Sequence, residues 1–306
     1  MRRLLWFLML AAAGVCGAQE VETYAFVERD STLYLDVHRP ARPRGDGACV
    51  LSVFGGGFVM GNRDDAYQRQ LASLLTERGF TVVCIDYRLG LKDSAMVAQN
   101  SGLLHMQDLF QYCIDIAVED CAAAVAWVAG HAESLGIDPS RMVLTGSSAG
   151  AIAVLQLDWC RANARPQVSA LPAGWRPAAV VPYAGGLMCR RSELAYTTPP
   201  APTLLLHGTK DKIVSYKKLA PLVSRTLYGS HRVAKAMDRQ GLPHWIVRFP
   251  GIGHEVASWL PGSLELFCAF VNQALEGRVS TLDATMSDSK LQPTRWTTMT
   301  LKDIYK

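Results

Sequence analysis

The sequence contains no block of lysine and arginine, no internal repeat and no low-complexity linker. Its formal net charge is only +4 and is spread over 306 residues, which leaves no electrostatic footprint for a nucleic acid. Beyond the first twenty residues no apolar run is long enough for a bilayer. There is no Cys-x-x-Cys and no cluster of cysteine with histidine, so no segment has the ligand spacing of a metal site. Charged residues make up 19% and hydrophobic ones 49%, a balance that excludes a disordered chain and suits one large core at this length.

The N-terminus reads as a processed segment. Met1-Arg2-Arg3 is a positive start, residues 4–13 are apolar, and Cys16-Gly17-Ala18 offers small residues for cleavage before Gln19. The expectation is a signal peptide over residues 1–18 and an exported protein, periplasmic or extracellular. A competing reading makes Cys16 a lipid-bearing cysteine, although Val15 is bulkier than the small residue usual at that place. Of eight cysteines, seven remain after cleavage, and an odd count leaves at least one thiol without an internal partner. Cys49 and Cys84 sit in apolar runs and read as buried thiols; Cys113 with Cys121 and Cys160 with Cys189 are possible bridges.

Strand-like runs alternate with helix-like ones. Residues 24–27 and 33–37 suggest an entry hairpin, and strands are expected at 49–54, 81–86, 142–145, 179–183, 203–207 and 244–249. Helices are expected at 67–77, 118–134, 151–162, 214–240 and 264–275, the fourth interrupted near Pro221 and Gly229. Continuous apolar strands separated by helices imply an α/β fold with a mostly parallel central sheet covered on both faces. In such sheets ligands bind at the carboxyl ends of the strands.

Four signals fall at those ends. The first is Gly146-Ser147-Ser148-Ala149-Gly150, placed between a strand and a helix. There Ser148 would stand at the tip of a sharp turn, with glycines two residues away on either side to permit close passage. A turn serine that merely caps a helix is the plainer alternative, and chance alone yields the pentapeptide in about one chain in ten. The second is Phe54-Gly55-Gly56-Gly57-Phe58. Gly56 and Gly57, with Ala149, are the candidate N–H donors of an oxyanion hole; a flexible tight turn is the alternative. The third is His207-Gly208-Thr209-Lys210-Asp211, and the fourth is Gly251-Ile252-Gly253-His254-Glu255. Asp211 could be an ordinary turn acid. The order Ser148, Asp211, His254 is nonetheless the nucleophile, acid, base order of α/β-hydrolase sheets. His254 would then take the Ser148 proton while Asp211 fixes its tautomer.

With these stretches in place, the sequence resembles the α/β-hydrolase-fold serine esterases of the carboxylesterase and hormone-sensitive-lipase-like branch, over about residues 49–277. The motifs that carry the resemblance are FGGGF (54–58), DYRL (86–89), GSSAG (146–150), HGTKD (207–211) and GIGHE (251–255). It implies hydrolysis of carboxylic esters without metal or cofactor. Phe54 stands where the family usually has a histidine, and Ser147 where it commonly has an acid. Asp86 and Asp120 are read as structural carboxylates.

The expected organisation is residues 1–18 as signal peptide, 19–277 as catalytic domain and 278–306 as a polar C-terminal extension. Residues 91–115 read as an irregular segment near the site and, with residues 183–186, could line a pocket; core beneath a long loop is an equal alternative. Trp259 reads as pocket rim or helix packing. Trp296, Ile304 and Tyr305 suggest that the tail docks somewhere, on its own chain or across a second copy in a homo-oligomer. The expected substrate is a small or oligosaccharide ester with a short acyl, acetyl or feruloyl group, with no nucleic acid partner and no transmembrane span. A serine peptidase of the same fold and a non-catalytic binding protein are the competing classes.

Overall fold

A computed structural model describes residues 21–92, 103–219 and 225–305. The expected signal peptide, Cys16, Met96 and Pro221 lie outside the described residues. Eleven described strands make a nine-stranded sheet and a small two-stranded one. Strands β1 (Val21–Glu28) and β2 (Thr32–His38) form the antiparallel entry hairpin, and β2 is also antiparallel to β4 (Thr81–Ile85). From β4 the sheet runs parallel through β3 (Cys49–Val53), β5 (Met142–Ser147), β6 (Ala179–Tyr183), β8 (Thr203–Gly208) and β10 (His244–Phe249). The ninth strand, β11 (Leu282–Thr285), comes from the C-terminal extension and pairs parallel with β10. Residues of the tail thus complete the sheet.

The apolar runs of β3, β4, β5 and β6 are buried along their whole length, as two-sided coverage requires. Alternate residues divide between two cores. Leu51 and Val83 face helices α2 (Leu103–Gly130), α3 (Ala149–Ala162) and α4 (Ser230–Arg239), whose Val125, Ile152 and Val233 belong to the same cluster. Val50 and Val82 face α1 (Ala66–Glu77) and α5 (Leu264–Leu275) through Leu71, Leu75, Phe267 and Phe270. Asp65 starts α1 by accepting from the Gln68 amide at 2.8 Å.

Three expectations change. The helix expected from residue 118 already begins at Leu103, so much of the supposed irregular segment is helical. It ends at Gly130; a single turn, Ala132–Leu135, follows and closes at Gly136, whose φ is +65°. The helix expected over 214–240 is confined to α4. Thr226–Gly229 is instead a strand, β9, antiparallel to β7 (Gly186–Cys189), and its Thr-Leu-Tyr run suits the strand better than the helix. The proposed bridges are absent: Cys113, Cys121, Cys160 and Cys189 are free thiols. Cys113 and Cys121 lie eight residues apart on α2, about 12 Å along its axis and beyond disulfide reach. Burial pushes the Cys113, Cys160 and Cys189 thiols up to about 12.

Asp86 and Asp120 tie elements together, as expected. Asp120 is fully buried on α2 and accepts from the Arg88 amide at 2.9 Å and from Arg88 Nε. Asp86 pairs with Arg63 at 2.7 Å. Among the described residues no helix is long and apolar enough to cross a membrane.

Candidate active site

Ser148 follows β5 and opens α3 with φ 53° and ψ −113°, a left-handed backbone that a serine adopts only under restraint. The restraint is visible on both sides. The Ser148 amide donates to the Tyr183 carbonyl at 3.0 Å, and its carbonyl accepts from the Ile152 amide at 2.9 Å. A Cβ on Gly146 would lie 2.5 Å from the Gly150 carbonyl carbon, and one on Gly150 would lie 2.1 Å from the Val53 oxygen. Both positions are therefore open only to glycine. Tyr183 serves this turn from behind: its hydroxyl lies 3.0 Å from Ser263 Oγ, and residues 183–186 do not line the cleft.

Asp211 follows β8 and His254 follows β10, two adjacent parallel strands, and their loops are stitched directly together. Thr209 and Lys210 donate to the carbonyls of Phe249 and Ile252 at 3.0 and 2.8 Å. A Cβ on Gly208 would lie 2.1 Å from the Gly253 oxygen, so the two loops touch at a glycine.

The three side chains meet. His254 Nε2 lies 2.8 Å from Ser148 Oγ, and Nδ1 lies 2.7 Å from Asp211 Oδ2. A carboxylate can only accept here, so Nδ1 carries the proton and Nε2 is free to accept from the serine. Asp211 and His254 are 5% and 7% exposed, which keeps water from competing for these bonds. Burial alone would raise the Asp211 carboxyl, but the charge of His254 and hydrogen bonds from His207 and His254 outweigh it and bring it down to about 2. Its other oxygen accepts from the Ile213 and Val214 amides at 2.9 and 3.0 Å.

The glycine loop after β3 faces Ser148. A Cβ on Gly55 would lie 3.3 Å from Ser148 Cβ. Gly56 and Gly57 have φ of +121° and +65°, a pair of positive values that glycine tolerates. Ala149, as the first residue of α3, has no intrahelical acceptor for its amide. Where a histidine is usual, Phe54 stacks on Tyr87 with ring centroids 4.4 Å apart, and the Tyr87 hydroxyl donates to the Phe54 carbonyl at 3.1 Å. The loop is thus held by an aromatic pair.

The cleft above Ser148 has a volume of about 800 Å³. Gly56, Gly57, Ser148, Ala149 and His254 line its floor, with Phe110 and Trp259 at its sides. Of the segment 91–115, Phe110 alone is a described lining residue. The opposite wall is the C-terminal tail: Trp296, Met299, Leu301, Ile304 and Tyr305. Asp211 does not line the cleft and touches it only through His254.

The fold around this site recurs in solved structures. The native Est2 esterase of Thermogutta terrifontis aligns with a TM-score of 0.58 at 21% identity, over 85% of this chain and 93% of that one. The same organism's esterase 2 phosphoramylated by tabun aligns with a TM-score of 0.60 at 20% identity, over 85% and 96%. Residues 15–165 match the family described as Carboxylesterase family. The chain has the α/β-hydrolase fold of these esterases, and its first half is similar to the carboxylesterase family. Among curated relatives, Lipase 2 of Moraxella sp. (strain TA144) is 35% identical over 105 residues, 34% of this chain and 20% of that protein. Ethyl acetate hydrolase of Pseudomonas putida is 28% identical over 189 residues, 56% of this chain and 53% of that protein. The chain thus spans about a fifth to a half of the length of these two relatives.

Several neighbours of this site have no role that the sequence alone assigns. His207 and Glu255 lie inside the quoted motifs, but their contacts depend on loops that meet only in the fold. The tail's Trp296, Ile304 and Tyr305 are visible as apolar residues in a polar stretch, and the cleft is where they dock.

Proposed function

We propose that this chain is an exported serine carboxylester hydrolase acting on short-acyl or carbohydrate-linked esters through an acyl-enzyme. The observation that carries this reading is the continuous hydrogen-bonded chain from Ser148 through His254 to Asp211, at 2.8 and 2.7 Å. Ser148 Oγ attacks the ester carbon while His254 Nε2 takes its proton. The negative oxygen of the tetrahedral intermediate is received by the amides of Gly56, Gly57 and Ala149, each such donor being worth about 3–4 kcal/mol. Collapse breaks the carbon–oxygen bond to the alcohol, which leaves with the proton from Nε2. Water then repeats the sequence on the acyl-serine and releases the acid. Asp211 holds the Nδ1 proton throughout and stabilises the imidazolium.

The relative named ethyl acetate hydrolase favours a small ester, and the cleft of about 800 Å³ leaves a confined space above Ser148. Acetyl and feruloyl esters of oligosaccharides are the natural substrates to try after simple esters. The start of the sequence, with its positive and then apolar residues, supports export.

The test is turnover of p-nitrophenyl acetate, butyrate and octanoate by wild type and Ser148→Ala, with labelling by a fluorophosphonate. Turnover that falls with acyl length and drops at least about 10³-fold in the variant, with label on Ser148 alone, is the expected result. No turnover and no label would move the binding-protein reading into first place.

A further inference from the structure

The tail crosses the cleft from one half of the site to the other. At one end a Cβ on Gly253, the residue before His254, would lie 2.3 Å from Thr297 Cα, so the tail backbone rests directly on the histidine loop. At the other end the Tyr305 hydroxyl donates to the Gly57 carbonyl at 2.9 Å, and Ile304 packs on Gly57. At the histidine end one side chain makes most of the hydrogen bonds. Glu255 accepts from the Thr294 amide at 2.7 Å and from the hydroxyls of Thr294 and Thr297, both at 2.8 Å, while its second oxygen takes the Gly253 amide at 2.8 Å. Between the two ends, the Trp296 ring stands with its centroid 6.3 Å from that of His254.

That position has a chemical meaning, and it rests on the ester hydrolase reading above. The leaving oxygen must collect its proton from His254 Nε2, so the alcohol half of the substrate lies on the histidine side of the reacting carbon. Trp296 is the cleft-lining tail residue paired with the His254 ring on that side. We propose that Trp296 is a specificity-determining residue that limits the size of the alcohol, and that Glu255 is the positioning residue that holds it there by fastening the tail to the His254 loop.

The experiment uses the full chain and two esters that differ only in alcohol, ethyl acetate and cyclohexyl acetate, with acid release followed by titration. Wild type, Trp296→Ala, Trp296→Phe and Glu255→Gln are compared through the ratio of kcat/KM for cyclohexyl over ethyl acetate. The ratio should rise at least about tenfold in Trp296→Ala and by less in Trp296→Phe. Glu255→Gln turns one acceptor into a donor facing the donors it now serves. It should raise the ratio through a lower KM for the larger ester, a split that general destabilisation would not produce. Over p-nitrophenyl acetate and butyrate, which differ only in acyl group, the ratio should stay within about twofold. An unchanged or lowered alcohol ratio in active enzyme overturns the proposal, as does a shift confined to the acyl pair. Should Trp296→Ala fail a thermal-melt check of folding, Trp296→Phe decides, and its ratio must still rise. A wild type inactive on every ester overturns the hydrolase reading and this inference with it, so the two failures are told apart.

Discussion

His207 Nε2 lies 2.8 Å from the Val214 carbonyl and 3.3 Å from Asp211 Oδ2, and Nδ1 lies 2.8 Å from Ser230 Oγ. A carbonyl can only accept, so Nε2 carries the proton, shares it with Asp211, and leaves Nδ1 to accept from the serine. The ring is fully buried. It is therefore a second histidine on Asp211, reaching the same carboxylate oxygen as His254. Replacing it by phenylalanine strands the Val214 carbonyl and the Ser230 hydroxyl, each at about 1–3 kcal/mol. His207→Phe should lose about 2–4 kcal/mol in urea unfolding and roughly tenfold in kcat, far less than Ser148→Ala. A variant as stable and as active as wild type would show that Asp211 needs no second donor.

The depressed carboxyl of Asp211 makes stability depend on pH in a definite direction. It sits at about 2 in the folded chain and at about 3.9 in an unfolded one. A depressed folded value contributes stability that is fully present above about pH 4 and is lost as pH falls through about 2. The contribution is on the order of 2 kcal/mol for this buried group. Wild type should lose that much more stability between about pH 5 and about pH 2 than Asp211→Asn does, measured by urea unfolding. Across the same range Asp211 stays ionised down to about pH 4, so any acid limb of kcat/KM above that belongs to another group.

The Ser148 turn depends on two absent methyl groups. A Cβ on Gly150 meets the Val53 oxygen at 2.1 Å and one on Gly146 meets the Gly150 carbon at 2.5 Å, and all of these are backbone atoms that cannot swing away. Gly150→Ala should cost about 3 kcal/mol or more and remove activity, because α3 must back off β3 and carry Ser148 with it. Gly251→Ala is the control: nothing lies within 4 Å of its Cβ, and its cost is the φ of +76° alone. Thermal melts of the two variants side by side decide whether clash or backbone strain dominates.

Much of this is legible along the chain because each signal is local. The parallel strands announce themselves as unbroken apolar runs, and Ser148, Asp211 and His254 each follow one of them. What escapes depends on contacts between distant segments. Thr226 to Gly229 reads as helix by its neighbours and becomes a strand because Gly186–Cys189 offers it an edge. Glu255 and Trp296 acquire meaning only when residues 282–285 join the sheet beside β10 and turn the rest of the tail back over the cleft. The cysteine pairs look plausible on spacing, yet helix geometry holds Cys113 away from Cys121.

Phe54 and Tyr87 together hold the glycine loop that follows β3. Phe54 is buried, stacked on Tyr87, and a Cβ on Gly61 would touch its ring at 2.6 Å. The Tyr87 hydroxyl fixes the Phe54 carbonyl from the same side. Removing the hydroxyl with Tyr87→Phe keeps the stack but leaves that carbonyl without the bond, so stability should fall by about 1 kcal/mol. If the loop amides receive the oxyanion, the loss should fall on kcat, because the oxyanion exists only beyond the ground state. Phe54→Ala removes the stack as well and should cost about 3–5 kcal/mol, with a larger fall in kcat than in affinity for substrate. Steady-state kinetics on p-nitrophenyl acetate separates the two quantities. A Tyr87→Phe enzyme whose KM rises while kcat holds would mean that the aromatic pair shapes the pocket rather than the oxyanion donors.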